Sequence, residues 1–140
     1  MSTPLSLAAR QARLLALRDL VDVGGATLWF YTLAGDMPPT PETSTSETLL
    51  GVITLATPSG AIGASDNTAT WTLSVPRIAS ASVTGVVGFV RLVDGAGDST
   101  LDLRVGQIGE TYDPPRAVLL SDLQVYAGGE LQLLSCVIAE

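Results

Sequence analysis

From residue 26 to the end of the chain, apolar and polar residues alternate in short runs that clusters of Gly, Pro, Asp and Ser interrupt. A period of two places successive side chains on opposite faces of a strand, so each run is typical of a half-buried β-strand. No helical pattern separates the runs, which predicts a mainly β fold, an antiparallel β-sandwich or jelly roll over residues 26–139. The predicted strands lie at residues 26–33, 49–57, 69–75, 86–93, 100–105, 117–120, 122–126 and 131–139.

Length and composition fit a single domain over residues 1–140. A chain of 140 residues is long enough to bury a hydrophobic core. Because 46% of the residues are apolar and only 5% are aromatic, that core must consist mainly of Val, Leu, Ile and Ala. Such side chains suit a sheet better than an aromatic-lined pocket, so we expect no small-molecule substrate and no cofactor.

One N-terminal α-helix precedes the predicted strands, over residues 3–22. Thr3 can cap it, Pro4 suits the first helical position, and Gly24 and Gly25 follow as a stop signal. The segment is rich in Leu, Ala, Arg and Gln, all good helix formers.

On a helical wheel the apolar residues of this helix fall into two stripes. A helix that covers one sheet needs a single apolar face, so two stripes favour one face on the domain and one on a partner. The alternative is an apolar helix that only packs along its own sheet. The leucine–valine stripe comprises Leu7, Leu14, Leu17 and Val21; the alanine-rich stripe comprises Leu5, Ala9, Ala12, Ala16 and Leu20; the polar sector comprises Gln11, Arg18, Asp19 and Asp22.

Residues 34–47 interrupt the strand pattern with three prolines and a Ser/Thr run. Such a segment can support neither a ladder nor a core, so it predicts a long loop. Loops of this length are usually functional or disordered, which leaves two alternatives, a contact arm or a solvated connector.

The charged residues argue against nucleic-acid binding and against catalysis. The chain has 7 basic residues, all Arg, against 14 acidic ones, which gives a net charge of −7 without any His. A basic face supplies most of the affinity for nucleic acid, and His and Lys supply most general bases and amine nucleophiles. We therefore expect no nucleic-acid partner, no enzymatic activity and no catalytic residues.

Three aspartates, Asp94, Asp98 and Asp102, surround a Gly-rich turn and raise the question of calcium. Calcium loops supply six or more oxygens at alternating positions, whereas Asp102 falls within a strand pattern. A hairpin turn rich in Asp and Gly explains the spacing better. With a single cysteine and no His, a zinc site also lacks ligands, so no metal site is predicted.

The remaining candidate residues have structural explanations. Glu110 and Asp113 could form a carboxylate pair but are better explained as solvated loop residues. Trp29 and Trp71 could stack on a sugar, but each lies in a strand pattern that favours core packing. Cys136 fits a small buried hydrophobic residue.

No targeting or membrane segment is predicted. The N-terminus lacks a basic segment before an apolar stretch, and Arg18 and Asp19 break the apolar run at residues 14–20. We expect no export signal and no membrane partner. Synthesis in a reducing cytoplasm is compatible with the one cysteine.

Two segments resemble small virion proteins of tailed bacteriophages. They are VTGVVGFVRLVDGAGDSTLDLRVG at residues 83–106 and AVLLSDLQVYAGGELQLLSCVIA at residues 117–139. Paired glycines before the FVRLVD run, the DG turn and the closing AGG before an alternating strand account for the likeness. The helix, first strand and Pro/Thr loop extend it over the chain, and the family that it resembles is the capsid cement, or decoration, proteins.

The resemblance implies a jelly roll that sits as homodimers on the outside of the capsid, binds the major capsid protein and stabilises its lattice. The host cytoplasm would be the site of synthesis and the outer capsid surface the final location. A tail- or surface-associated module that recognises carbohydrate or a host receptor is the alternative. From the helical wheel we predict that the partner-binding residues are Leu7, Leu14, Leu17 and Val21, flanked by Arg10 and Arg13 as donors to carboxylates of the capsid.

Overall fold

The computed structural model describes residues 5–73, 77–112 and 115–139. It is mainly β, with one N-terminal helix and a curled sheet, which confirms the predicted fold class. The elements of the described residues are α1 (Leu7–Asp22), β1 (Thr27–Tyr31), β2 (Leu49–Thr54), β3 (Gly60–Ser65), β4 (Thr68–Leu73), β5 (Arg77–Ser80), β6 (Gly85–Val86), β7 (Phe89–Val93), β8 (Ser99–Gln107), β9 (Val118–Leu120), β10 (Gln124–Val125) and β11 (Glu130–Ala139).

Helix α1 begins later than predicted and ends where predicted. Ser6 is the N-cap, because its Oγ accepts a hydrogen bond from the Ala9 amide at 3.2 Å. The predicted cap at Thr3 and the proline after it lie outside the described residues. At the other end Gly24 and Gly25 adopt positive φ angles of 80° and 93° and stop the helix, as only glycine does without strain.

The strands form one curled sheet and a small separate ribbon. The main sheet has the order β2-β1-β7-β8-β9-β11-β4-β3, with β5 also paired to β11, and the ribbon consists of β6 and β10. Every pair is antiparallel except β8 with β9, which run parallel. This pair corrects the all-antiparallel prediction. Parallel neighbours require a crossover connection rather than a tight hairpin turn.

Two strands occur where the sequence predicted none. The sequence predicts a Gly/Ser/Asn-rich connector up to Asn67. Residues 60–65 instead form β3 and pair along their whole length with β4. The turn between them places Asp66 and Asn67 at φ angles of 47° and 61°, which Asp and Asn tolerate better than most residues. The second is the short strand β5. The sequence also predicts that Pro76 ends the strand at 69–75, and this proline lies outside the described residues.

The hydrophobic core lies inside the curl of the sheet. Its largest buried side chains are Trp71 and Phe30, and most of the rest are Leu and Val, as the composition predicted. Helix α1 contacts β3 and β4 and adds Leu14 and Val21 to the same core. Helix α1 thus covers β4 and β3, the two strands at one end of the sheet.

Two glycine motifs meet in the fold. The β7–β8 turn brings Gly95 against the end of α1, so close that a Cβ on Gly95 would lie 2.1 Å from the carbonyl oxygen of Val23. A Cβ on Gly24 would in turn lie 3.2 Å from the Gly95 Cα. Only residues without side chains allow this backbone contact between helix end and hairpin.

We predict that Gly95→Ala destabilises the domain. The added methyl group meets backbone atoms that cannot rotate away, and overpacking of this kind costs about 1–3 kcal/mol. Urea unfolding monitored by circular dichroism measures the free energy of unfolding. Gly35→Ala is the matched control, because a Cβ there meets nothing within 4 Å, and it should change stability by less than about 0.5 kcal/mol. Equal stability of the two variants would contradict the contact.

Candidate protein-binding surface

The inner face of α1 is the leucine–valine stripe. Leu14 and Val21 are 3% and 0% exposed, and Leu7 and Leu17 pack against the same core. These four side chains therefore stabilise the domain itself, since burial of an aliphatic side chain contributes about 1.5–3 kcal/mol. The core covers Leu14 and Val21, so the prediction that these two bind a partner is corrected. Leu7 and Leu17 are only partly buried, and their role toward a partner stays a prediction.

The polar side of α1 binds the end strand of the sheet. Arg18 Nη1 donates to the Gly60 carbonyl at 3.1 Å and Gln11 Nε2 to the Gly63 carbonyl at 3.0 Å, both in β3. Asp22 Oδ2 accepts from the Ser59 amide at 3.0 Å, just before that strand. End strands carry backbone groups that invite pairing with another chain, so the helix covers a vulnerable edge.

The two arginines that were predicted to flank a partner surface have different surroundings. Arg10 Nη2 donates to the Asn67 carbonyl at 2.9 Å, in the β3–β4 turn, so it helps to hold the helix on its own sheet. Its role toward a partner stays a prediction. Arg13 is exposed on α1, and its role stays a prediction.

The outer face of α1 is apolar and exposed. Leu5 and Leu15 are each 40% exposed, Leu20 is 57% exposed and the C-cap residue Val23 is 72% exposed. Exposed alanines lie between these larger side chains. The exposed Asp19 lies between Leu15 and Val23 on this side of the helix. Apolar side chains exposed together on one side of a helix are typical of a binding site. We define the outer face by Leu5, Ala8, Ala12, Leu15, Ala16, Leu20 and Val23.

A buried ion pair joins strands β7 and β8. Arg91 Nε and Nη2 bind Asp102 Oδ1 and Oδ2 at 2.7 and 3.0 Å, and the two side chains are 6% and 8% exposed. The hydrogen bond to Asp102 raises the pKa of Arg91, against the opposing effect of burial.

The guanidinium also lies 5.8 Å from the ring centre of Phe89, which stacks on Tyr31 at 5.2 Å. Burial is the main cause of the raised pKa of Tyr31.

This ion pair holds the 34–47 loop. Arg91 Nη1 donates to the Thr43 carbonyl at 2.9 Å. Glu47 fixes the base of the loop, since its carboxylate accepts from Thr32 Oγ1 at 2.9 Å and from the Ala34 amide at 2.8 Å. The long loop predicted here is confirmed, and it is tied to the sheet by these hydrogen bonds.

The hairpin aspartates have separate structural roles. Asp94 Oδ1 accepts from the amides of Ala96 and Asp98 at 3.0 and 2.9 Å, which shapes the turn, while Asp102 belongs to the ion pair. Across residues 5–73, 77–112 and 115–139, no group of three or more acidic or Cys side chains is placed to hold a metal ion. Of the carboxylate pair considered above, Glu110 is exposed and Asp113 lies outside the described residues.

Neither tryptophan is displayed for sugar stacking. Trp71 is 0% exposed in the core, and half-buried Trp29 donates from Nε1 to Thr27 Oγ1 at 2.9 Å. Their strands, β4 and β1, are not neighbours in the sheet.

Cys136 is fully buried, as predicted, and burial raises the pKa of its thiol to about 12.

Two concavities of the described surface are open and shallow. One of about 420 Å³ lies between β8 and the end of β11 and is lined by Leu103, Ala117 and Val137, with Arg116 at its side. Another of about 430 Å³ is lined by Glu42, Gly97, Asp98 and Ser99. Ligand pockets usually enclose most of a ligand and fix it with several polar groups. A protein-binding surface is the better candidate site.

The Arg91–Asp102 pair was not predicted, although the sequence contains a signal for it. Arg91 is the only charged residue of β7, and the hairpin register places Asp102 directly opposite it. A charged residue in an otherwise apolar strand needs an opposite charge on the neighbouring strand of the hairpin. Leu15 and Val23 were missed because neither falls in the two stripes that the wheel defined.

We predict that Arg91→Met destabilises the domain by about 3–5 kcal/mol, because it leaves the Asp102 carboxylate buried without its partner. The 34–47 loop should also become more sensitive to limited proteolysis, since the hydrogen bond to Thr43 is lost. Denaturant unfolding and a protease time course measure the two effects. The double variant Arg91→Met with Asp102→Leu should regain most of the stability, and Arg104→Met, at an exposed position, is the control. Wild-type stability of the single variant would refute the structural role of the pair.

We predict that the Cys136 thiol does not react with a disulfide reagent in the folded protein at about pH 8, because a thiol with a pKa near 12 is almost fully protonated there. One thiol per chain should react once urea unfolds the protein. The absorbance of the released thiolate follows the reaction. Rapid stoichiometric labelling of the native protein would show that the thiol is accessible.

Comparisons of the chain with protein-family models, curated proteins and solved structures give no match. No helix in the described part of the chain is long and apolar enough to cross a membrane. The function must therefore be inferred from the chemistry of the surface and from the resemblance in the sequence.

Proposed function

We propose that this chain is a virion structural protein that binds the outer surface of a phage capsid and stabilises the lattice of the major capsid protein. The outer face of α1 is the observation that carries the proposal. Its larger apolar side chains are 40–72% exposed, although the opposite side of the same helix is buried. The resemblance to capsid cement proteins supplies the identity of the partner.

The way in which α1 is held supports a binding role for its outer face. Core contacts fix one side of the helix, and hydrogen bonds from Arg10, Gln11 and Arg18 fix the adjacent side. A partner that docks on the third side does not have to order the helix first. Pre-ordered surfaces bind more tightly for a given area because less conformational entropy is lost.

Charge and chemistry fit a protein that acts on the capsid exterior without catalysis. A net charge of −7 opposes contact with packaged nucleic acid. With no His or Lys, the chain lacks the usual bases and amine nucleophiles. A module of this kind can stabilise an assembly through binding energy alone.

Lattice stabilisation follows from mass action. A protein that binds the assembled, expanded lattice and not its free subunits shifts the equilibrium toward the lattice. Homodimers, which the resemblance implies, would bridge neighbouring subunits, and two weak contacts on one dimer gain strength from their linkage. The protein itself and the major capsid protein are thus the proposed partners.

Recognition of carbohydrate by a tail or surface module is the weaker alternative. Sugar-binding platforms rely on exposed aromatic faces, and Trp71 is fully buried while Trp29 is half-buried.

We predict that the purified protein co-sediments with expanded capsids that lack it and raises the temperature at which they lose their contents. Unexpanded capsids serve as the control and should retain little protein. A variant with Leu20→Ser and Val23→Ser should bind expanded capsids roughly tenfold or more weakly, because each buried apolar side chain contributes on the order of 1–2 kcal/mol. Ile78→Ser removes a similarly exposed side chain on β5 and should bind normally. No binding of the wild-type protein to expanded capsids would exclude the proposal.

A further inference from the structure

We infer that the outer face of α1 docks a basic, amphipathic protein segment, whose apolar residues cover Leu20 and Val23 and whose Lys or Arg side chains face an acidic corner beside them. We define the acidic corner as Asp19, Asp94 and Asp98. The inference rests on the proposed function, because it describes the chemistry of the partner at the same surface.

The apolar surface is strongest at the C-terminal end of α1. Exposure rises from 40% at Leu5 and Leu15 to 57% at Leu20 and 72% at Val23. Val23 is the C-cap, directly before the two glycines that end the helix. A partner therefore gains most apolar contact at this end.

The β7–β8 hairpin brings negative charge to the same end. Gly95 packs against the backbone of Val23 and Gly24, since a Cβ on Gly95 would lie only 2.1 Å from the Val23 carbonyl oxygen. The residues around it, Asp94 and Asp98, therefore lie beside the end of the helix. Asp98 is exposed and shares a depression with Glu42, which adds a further carboxylate.

Little positive charge offsets these carboxylates at the C-terminal end of the helix. The last turn of α1 has no basic residue, and the C-terminal end of a helix itself carries partial negative charge. Arg18, one turn earlier, is 21% exposed; it pairs with Asp19 at 3.2 Å and also donates to the Gly60 carbonyl. The Asp19 side chain remains 64% exposed. The corner thus presents net negative charge next to apolar surface.

Charge complementarity selects the occupant. Anionic partners, such as nucleic acid or an acidic lipid surface, are repelled by the corner. A second copy of this chain brings its own net charge of −7 and the same carboxylates. A segment with apolar residues on one side and Lys or Arg at the margin satisfies both parts of the surface, and such charge pairs speed association and fix orientation.

Peptide titrations test the inference with the purified, full-length protein. The probe is a dye-labelled amphipathic peptide of 16 residues, the length of α1, with Leu on one face and Lys on the other; the control peptide has Glu in place of Lys. Fluorescence anisotropy should show at least roughly tenfold tighter binding of the Lys peptide, which rising salt weakens. Equal binding of the two peptides, or binding of neither, overturns the inference.

Variants separate the apolar surface from general electrostatic attraction. Leu20→Ser with Val23→Ser, and separately Asp19→Asn with Asp98→Asn, should each weaken binding of the Lys peptide roughly tenfold. Ile78→Ser and Glu130→Gln are matched controls on other elements and should bind as the wild type does. Undiminished binding by the Leu20→Ser and Val23→Ser variant would show attraction by net charge alone. A change of that variant from dimer to monomer in light scattering would instead assign the face to a second copy, and either result overturns the inference.

Capsid binding distinguishes failure of this inference from failure of the proposed function. If the wild-type protein co-sediments with expanded capsids but the Asp19→Asn and Asp98→Asn variant binds equally well at every salt concentration, the inference falls and the proposed function stands. If the wild type does not bind capsids while the peptides discriminate as expected, the proposed function falls and the basic partner stands.

Discussion

The end strand of the sheet governs the placement of the helix and, through it, the surface of the domain. Strand β3 closes the strand order, and α1 covers it with side chains that bind the backbone between residues 59 and 67. The same helix must bury Leu14 and Val21 against the core. These two tasks use adjacent sides and leave a third side in solvent. Because polar residues would serve there equally well, the leucines on that side are not explained by the fold and point to a partner.

The helix was predictable from the sequence, but its orientation was not. Periodicity separates two apolar stripes, and both are apolar enough to face a sheet. The choice depends on hydrogen bonds that join residues 42–57 positions apart, from Arg18, Gln11 and Arg10 to β3 and its turn. On the wheel, Gln11 and Arg18 lie next to the leucine–valine stripe. A helix that turns these two side chains toward β3 therefore also turns that stripe toward the core. The sequence did not predict β3, so the wheel alone could not show which stripe faces the sheet.

Local patterns predicted most strands and missed those that depend on pairing. Alternation identified β1, β2, β4, β7, β8 and β11, because each carries enough large apolar residues to show its period. Strand β3 contains mostly Gly, Ala and Ser, and it forms because an Asp66–Asn67 turn folds it onto β4. The Arg91–Asp102 pair follows from the register of one hairpin, whereas its hold on Thr43 spans 48 positions. Patterns within a single sequence do not predict contacts between residues so far apart in the chain.

Rigidity connects these features to a role in assembly. On a lattice, each copy that has to order a helix or a loop on binding loses conformational entropy, and the loss recurs at every site. Here α1 is fixed on two sides and the 34–47 loop is held by Arg91 and Glu47 before any partner arrives. Weak contacts at many equivalent positions can then add up, because little of the binding energy is used to order the protein. A domain that stabilises a capsid needs ordered surface more than a pocket, and this chain has a helix face of that kind.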